Sequence, residues 1–309
     1  MTHIIAPIAR HLLKQELTTE RFVRTTNKGD NEIYIIDAHN APNVLQEIGR
    51  LREVSFAAAG GGTGLPVDLD EYDTHEHCYE QLIVWSPEDE EIVGGYRFID
   101  CSKIYHLNPI PLSTHHYFNY SDKFISDYMP FTVELGRSWV QPNFQPQNNS
   151  RKGIFSLDNL WDGLGAIVAD NPHIKHFFGK VTMYPSYNIE ARDALLSFMN
   201  HYFEDKEHLV WPIHPLGITQ DMSSFISQLA GLDFKEGHRV LTSYVKDRGE
   251  HIPPLINNYM QLSPTMKTFG TAMNHDFGAV EETGILVTIA DIFPEKHERY
   301  VIPYLMEKS

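Results

Sequence analysis

The 309-residue chain is poor in cysteine, in positive charge and in long apolar runs. Its two cysteines, Cys78 and Cys101, cannot build a disulfide framework, so a reducing, cytoplasmic compartment is the simpler expectation. Lys and Arg number 25 against 41 Asp and Glu, a formal net charge of −16, and no basic run stands out. A phosphate backbone repels such a surface, which argues against nucleic acid as a partner. Broad adhesion to anionic lipid is disfavoured in the same way, leaving room only for local, peripheral contact with an inner membrane. No apolar stretch reaches the ~18 residues needed to cross a bilayer. The opening MTHIIAPIARHLLKQEL carries His, Arg and Lys throughout, lacks the apolar core of a secretion signal, and reads as a first helix or docking segment.

Several catalytic signatures are also missing. There is no phosphate-cradling G-x-x-x-x-G-K-[ST], no G-x-S-x-G nucleophile elbow and no H-E-x-x-H. The run Gly60–Gly64 (GGGTG) follows no strand and does not fit a dinucleotide turn. No histidine is followed five residues on by aspartate, which excludes the His-x4-Asp signature of glycerolipid acyltransferases.

What is present can build a core: 42% hydrophobic and 12% aromatic residues, without internal repeats. IYIIDA (33–38) reads as a strand, and Asn40 or Asn43 is placed to cap the helical period of NVLQEIGRLREVSFA. QLIVW (81–85) and IVGGYRFI (92–99) form a hairpin about SPEDEE. PFTVELGRSWV (130–140) and FGKVTM (178–183) are further strands, Ser156 is placed to cap a helix, and 189–203 is amphipathic. Helices near 238–248 and at PPLINNYMQL precede two closing strands, and the tail after Asp291 reads as irregular. The order predicts an α+β fold, a mostly antiparallel mixed sheet flanked by helices. We expect one domain over 1–309, with a core at 30–203, an insertion at about 204–262 and closing strands at 263–291.

The segment VDLDEYDTHEHCYEQLIVW (67–85) sets six carboxylates, two histidines and a cysteine before the apolar run QLIVW. Asp73, His75, His77 and Cys78 are competent metal ligands, but their spacing departs from the paired pattern of structural sites, and no metal is expected. A loop that grips a cationic group and a solvated turn both account for the same residues.

An ordered series of motifs runs through and beyond this segment: Arg52-x-x-x-Phe56, Asp68-x-Asp70-x-x-Asp73, Tyr79-x-Gln81-Leu82-x-Val84, Gly94-Gly95-Tyr96-Arg97 and Glu134-x-x-Arg137. The series resembles the acyl-homoserine-lactone synthases and, more closely, the hemolysin-like ornithine N-acyltransferases, both of the GNAT superfold. The likeness covers roughly Leu51 to Asn200, and in style the chain is similar to the glycine-acylating kind from Bacteroidetes. It departs from the autoinducer synthases in carrying AAAGGGTG where they have a tryptophan, and Asp68 where they often have Glu. The resemblance implies an N-acyltransferase. It would move a long-chain, in some members 3-hydroxylated, acyl group from an acyl carrier protein or CoA thioester to the α-amine of glycine or ornithine, in aminolipid synthesis. No permanently bound cofactor is implied. The rival readings are an autoinducer synthase and a non-catalytic protein of the same fold that binds acyl carrier or lipid.

The resemblance also implies that PFTVELGRSWV and FGKVTM splay to admit the thioester arm, and that an exposed N–H of the first acts as oxyanion donor. Glu134 is the expected general base, with Asp70 and Arg97 beside it in the catalytic set. Arg52, Phe56, Asp68, Asp73 and Arg137 are expected to bind substrate. Arg151, Lys152 and Gly153, ahead of a helix, are expected to meet the donor's phosphate. Arg21, Arg24 and Lys28, or Arg151 and Lys152, are the basic residues available to dock an acidic carrier. Glu134 and Arg137 are three apart, so a regular strand would send them to opposite faces. For both to serve one site, the strand must contain a bulge.

Overall fold

Strand β3 (Glu80–Ser86) is apolar on both faces, and the structure covers it on both. The computed structural model describes residues 3–145 and 153–308. Two compact units emerge: one comprises Met1–Ser113, Met129–Lys175 and Phe293–Ser309, the other Thr114–Tyr128 and His176–Ile292.

In the first unit, β1 (Phe22–Thr25), β2 (Glu32–Ile36), β3, β4 (Glu91–Asp100) and β6 (Thr132–Val140) lie side by side in that order, each pair antiparallel. Helix α2 (Pro42–Ala58) covers one face, where its Arg52 bonds Gln81 of β3. Helix α4 (Ser156–Asp170) covers the other, with Gly163 against the Leu82 side chain. Successive strand residues thus serve opposite layers, as the period of two requires.

The second unit contains three antiparallel strands, β7 (His176–Met183) beside β10 (Val280–Thr288) beside β9 (Lys267–Asn274), which count with the five above as one eight-stranded sheet, and a small ribbon of β5 (Phe118–Tyr120) with β8 (Val210–Pro212). The stretch 204–262 supplies β8 and helices α6 (Ser223–Leu229), α7 (Phe234–Lys246) and α8 (Pro254–Met260). Helix α5 (Ile189–Phe203) begins with a true side-chain cap: Asn188 accepts from the N–H groups of Glu190 and Ala191.

Some expected local details are corrected. Neither Asn40 nor Asn43 caps α2; the carboxylate of Glu16, at the end of α1 (Arg10–Glu16), accepts from the N–H groups of Asn43 and Val44. An acid at a helix N-terminus also meets the favourable end of the dipole. Ser156 does not cap α4 but donates to the Phe144 carbonyl. The tail is not irregular: it forms α9 (Pro294–Tyr300) and α10 (Ile302–Lys308). Its prolines, Pro294 and Pro303, fall in first turns, where no N–H is required of them. Buried Tyr300 and Tyr304 bond Asp158 and Asp170 of α4.

Strand β6 contains the required bulge. Gly95 of β4 faces Trp139 and Arg97 faces Gly136, so Tyr96 alone opposes both Arg137 and Ser138. Arg137 adopts φ +46°, a left-handed conformation rare outside glycine. Gly94 permits the close strand approach here, since a Cβ on it would lie 2.4 Å from the Trp139 carbonyl oxygen.

The acidic loop packs on α2 at Gly49, whose carbonyl accepts from the Asp68 N–H at 2.9 Å. A Cβ at Gly49 would stand 2.6 Å from Leu69 Cγ. G49A is therefore expected to lower stability by about 1–3 kcal/mol in urea unfolding, as overpacking does. Adding L69A should recover part of the loss; if it worsens it instead, the contact is not the cause.

Candidate active site

The site grows from the side-chain alternation of three neighbouring strands, all in the first unit. Gln81 of β3 is opposite Arg97 of β4, Arg97 is opposite Gly136, and Ile99 is opposite Glu134. Gln81, Arg97 and Glu134 therefore share the face that α2 covers. Tyr79 lies two residues before Gln81, and its hydroxyl reaches Glu134.

Above this face the acidic loop is tied by its own backbone. A short turn, α3 (Glu71–Thr74), starts at Asp70, whose N–H is accepted by the Asp73 carboxylate at 3.1 Å. That reciprocal contact holds the turn in the manner of a capping box. Its charges then alternate with arginines. Arg52 donates through Nη1 to both oxygens of Asp73 at 3.1 and 3.2 Å, and Gln81 bridges the pair, accepting from Arg52 and donating to Asp73. Arg97 Nη1 contacts Asp73 at 3.2 Å and both oxygens of Asp70 at 2.7 and 2.8 Å. Arg137, turned by the bulge, lies 3.7 Å from Asp70 and donates through Nε to Asp68 Oδ1 at 3.2 Å. Asp68 Oδ2 is nearer to the same Nε, at 2.9 Å, but makes no aligned hydrogen bond, so the contact there is Coulombic.

The result is a ladder: Arg52, Asp73, Arg97, Asp70, Arg137, Asp68. Three guanidiniums face three carboxylates, so the acidic triplet adds no net negative charge to the site. The Arg52 and Asp73 side chains have no solvent exposure, while Asp70 retains 32% and Arg137 13%. Burial by itself would raise the Asp73 carboxyl, but Arg52 and Arg97 outweigh it and hold its pKa well below the usual carboxylate range. Arg97 is likewise fixed as a cation: burial opposes its charge, and Asp73 and Asp70 more than restore it.

Glu134 lies fully buried. Its Oε1 accepts from Tyr79 Oη and from Ser113 Oγ, each at 2.7 Å. Tyr79 Oη in turn accepts from the Ser113 N–H at 2.9 Å. The Arg97 guanidinium stands over the Tyr79 ring at 5.1 Å from its centroid, which joins the ladder to the carboxylate.

Of the residues singled out in the sequence, Arg52, Asp68, Asp70, Asp73, Arg97 and Arg137 come together in this ladder. Glu134 joins them through Tyr79. Phe56, one turn beyond Arg52, belongs to the buried apolar core. Gly153 is buried ahead of α4, while Arg151 and Lys152 lie outside the described residues. Arg24 is corrected as a carrier dock: it is buried, paired with Glu307 and Asn27, with its guanidinium against Tyr304. Tyr79, Gln81 and Ser113 were not expected as site residues. Polar side chains two apart, Gln81 in the otherwise apolar β3 and Tyr79 just ahead of it, signal the first two; nothing in the surrounding loop signals Ser113.

The alternative chemistries find little support here. Asp73 is engaged by arginines, and the His77 N–H donates to His75 Nδ1. Among the described residues no cluster of His, Cys, Asp and Glu fits a metal ion. Neither thiol is poised as a nucleophile: burial raises both, and Glu134 further raises that of Cys101.

Three comparisons bear on this arrangement. Residues 51–151 match the model of the acetyltransferase (GNAT) domain. The chain is 51% identical over 308 residues to a glycine N(alpha)-acyltransferase of Bacteroides thetaiotaomicron, covering 99% of this chain and 91% of that protein. It is 49% identical over 310 residues to a glycine N(alpha)-acyltransferase of Phocaeicola vulgatus, covering 99% and 95%. A solved structure of a CoA-dependent acyl-homoserine lactone synthase aligns over 89% of each chain with a TM-score of 0.36 and 10% identity.

D73N leaves Arg52 and Arg97 facing a neutral amide in a buried site, and is expected to cost about 3–5 kcal/mol at neutral pH. The folded-state carboxyl is depressed, so its contribution is complete above the unfolded value and is lost on acidification. The gap between native protein and D73N in urea unfolding should therefore narrow below about pH 4. A gap that is independent of pH contradicts the ion-pair account.

Proposed function

The chain belongs to the GNAT family of the two bacterial glycine N(alpha)-acyltransferases and is an N-acyltransferase; from that premise we propose that its acceptor is glycine and its donor a long-chain acyl thioester of acyl carrier protein or CoA. The observation that carries the reading of the acceptor is the least buried part of the ladder. Asp70 and Arg137 are its least buried charges apart from the paired interior, one negative and one positive, 3.7 Å apart. A small zwitterionic amino acid offers the complementary pair, an ammonium for Asp70 and a carboxylate for Arg137. Arg52, Asp73 and Arg97 hold that pair in place.

Aminolysis requires an uncharged amine, and Glu134 takes the proton from the glycine ammonium. The amine nitrogen attacks the thioester carbonyl carbon, a C–N bond forms, and the carbonyl π pair moves to oxygen. In this reading a backbone N–H of β6 beside the bulge receives that oxyanion. The intermediate expels the thiolate as the C–S bond breaks; the nitrogen gives up its second proton, which the thiolate takes. In sum, thioester and zwitterionic glycine yield N-acylglycine carboxylate, free thiol and one proton. No covalent enzyme intermediate is involved, in keeping with the unreactive thiols.

Among the described residues no helix is long and apolar enough to cross a membrane.

Thiol release from a long-chain acyl-CoA or acyl carrier protein should depend on added glycine. E134Q is expected to lower kcat by about 10² or more, and a near-normal rate contradicts its role as base. D70N should raise the glycine KM about tenfold, by loss of a charged hydrogen bond, with the thioester KM unchanged. An unaltered glycine KM rejects the zwitterion reading.

A further inference from the structure

Helix α7 turns its apolar side into the second unit. Leu241 and Val245 are buried, and the Phe234 ring meets Phe198, Tyr202 and Phe203 of α5. Gly237 allows the close approach, since a Cβ on it would stand 2.2 Å from Tyr202 Oη. A capping box fixes the start of the helix, Asp233 and Glu236 each accepting from the other's N–H. On the outside, Lys235, Arg239 and Lys246 are exposed at spacings of four and seven, with exposed Thr242 between them. Such spacings set all four on one stripe, about 16 Å long. The three cations make no ion pair and no side-chain hydrogen bond among the described residues. The other lysines and arginines of this unit behave differently: Lys206 apart, each of Lys123, Lys180, Arg192, Arg248 and Lys267 pairs with a carboxylate.

We propose that the exposed stripe of α7 docks an acidic carrier protein that brings the acyl thioester, through Lys235, Arg239 and Lys246. The proposal rests on the reading of the donor as an acyl thioester, and it makes the carrier, rather than free CoA, the donor that this surface selects. On a chain of net charge −16, three unmatched cations in a row attract an acidic partner that the rest of the surface repels. A row spanning three helical turns is too long for one phosphate group and suits the side of a partner helix that carries several carboxylates. A lipid surface fits less well. Helices that lie in a membrane interface set large apolar side chains beside their cations. Here the exposed neighbours are Glu236, Thr242, Ser243 and Asp247, and the apolar side is occupied by α5 and by Phe225 of α6, whose ring packs on Tyr244. Glu236 and Asp247 also narrow the choice of partner, because they repel any anionic surface whose charges are out of register with the row. Of the basic residues expected for this part, Arg24 is buried and paired, whereas these three are open to solvent.

The experiment sets one acyl chain on two carriers in a thiol-release assay with glycine: a long-chain thioester of purified bacterial acyl carrier protein, and the same chain on CoA. The triple variant K235E/R239E/K246E is expected to raise the KM for the carrier thioester about tenfold or more, with kcat and the acyl-CoA KM within about twofold of the native chain. Added salt should raise the carrier KM of the native chain and barely alter that of the variant. Equal carrier KM values in native chain and variant overturn the dock, while glycine-dependent release keeps the acyltransferase reading. Release from acyl-CoA with no turnover of the carrier thioester also overturns it. An equal rise in both thioester KM values does the same, since the helix then acts without regard to the carrier. If the native chain but not the variant sediments with phosphatidylglycerol vesicles, and the carrier KM is unchanged, the face belongs to lipid and the dock is overturned. No glycine-dependent release from either thioester rejects the donor reading itself, and the dock with it. If the triple variant fails to fold by circular dichroism, R239E alone, expected to raise the carrier KM about threefold, decides the matter.

Discussion

Alternation of charge inside the protein is the constraint from which the site follows. A buried aspartate or arginine is tolerated only when opposite charge and hydrogen bonds replace the water it has lost. Here each interior member of the ladder lies between two partners of opposite sign, from Arg52 on α2 to Asp68 at the start of the acidic loop. The ladder joins a helix, a loop, strand β4 and the bulge of β6. Its cohesion explains why Arg137 keeps an unfavourable backbone conformation: the left-handed φ directs its side chain at Asp68 and Asp70. The strain is thus held by the ion pairs the bulge makes possible.

That arrangement changes the part assigned to the acidic triplet. Three aspartates in six residues suggest a strongly negative mouth, but three arginines neutralise them. Asp73 and Arg52 are sealed from solvent, and Asp73 is tied to Asp70 through Arg97 and through the Asp70 N–H. In the functional reading, recognition is left to the half-buried Asp70–Arg137 pair and chemistry to Glu134. Tyr79 connects the two tasks, with Arg97 on its ring face and Glu134 on its hydroxyl.

Much of this was legible in the sequence. The ordered motifs contain every residue of the ladder, and the apolar hairpin before and after SPEDEE places β3 and β4 correctly. For Glu134 and Arg137, three apart, to serve one site, parity requires a bulge, and the register contains one. The hidden part consists of long-range partners. Ser113 follows Glu134's partner Tyr79 by 34 positions, in a loop without periodicity, so no local pattern points to it. The same reason hides the Glu16 carboxylate at the start of α2, where asparagines nearer in sequence appear the better caps. In the tail, Pro294 and Pro303 resemble helix breakers until their first-turn positions and the tyrosine bonds to α4 are known.

The most direct test of the account is to express the chain and its E134Q variant in a bacterial host and examine extracted lipids by mass spectrometry. The account predicts new N-acylglycine species with long acyl chains in cells carrying the native chain, and their loss with E134Q at equal protein level. N-acyl derivatives of a different amine, or N-acylglycine formed equally by E134Q, would contradict it.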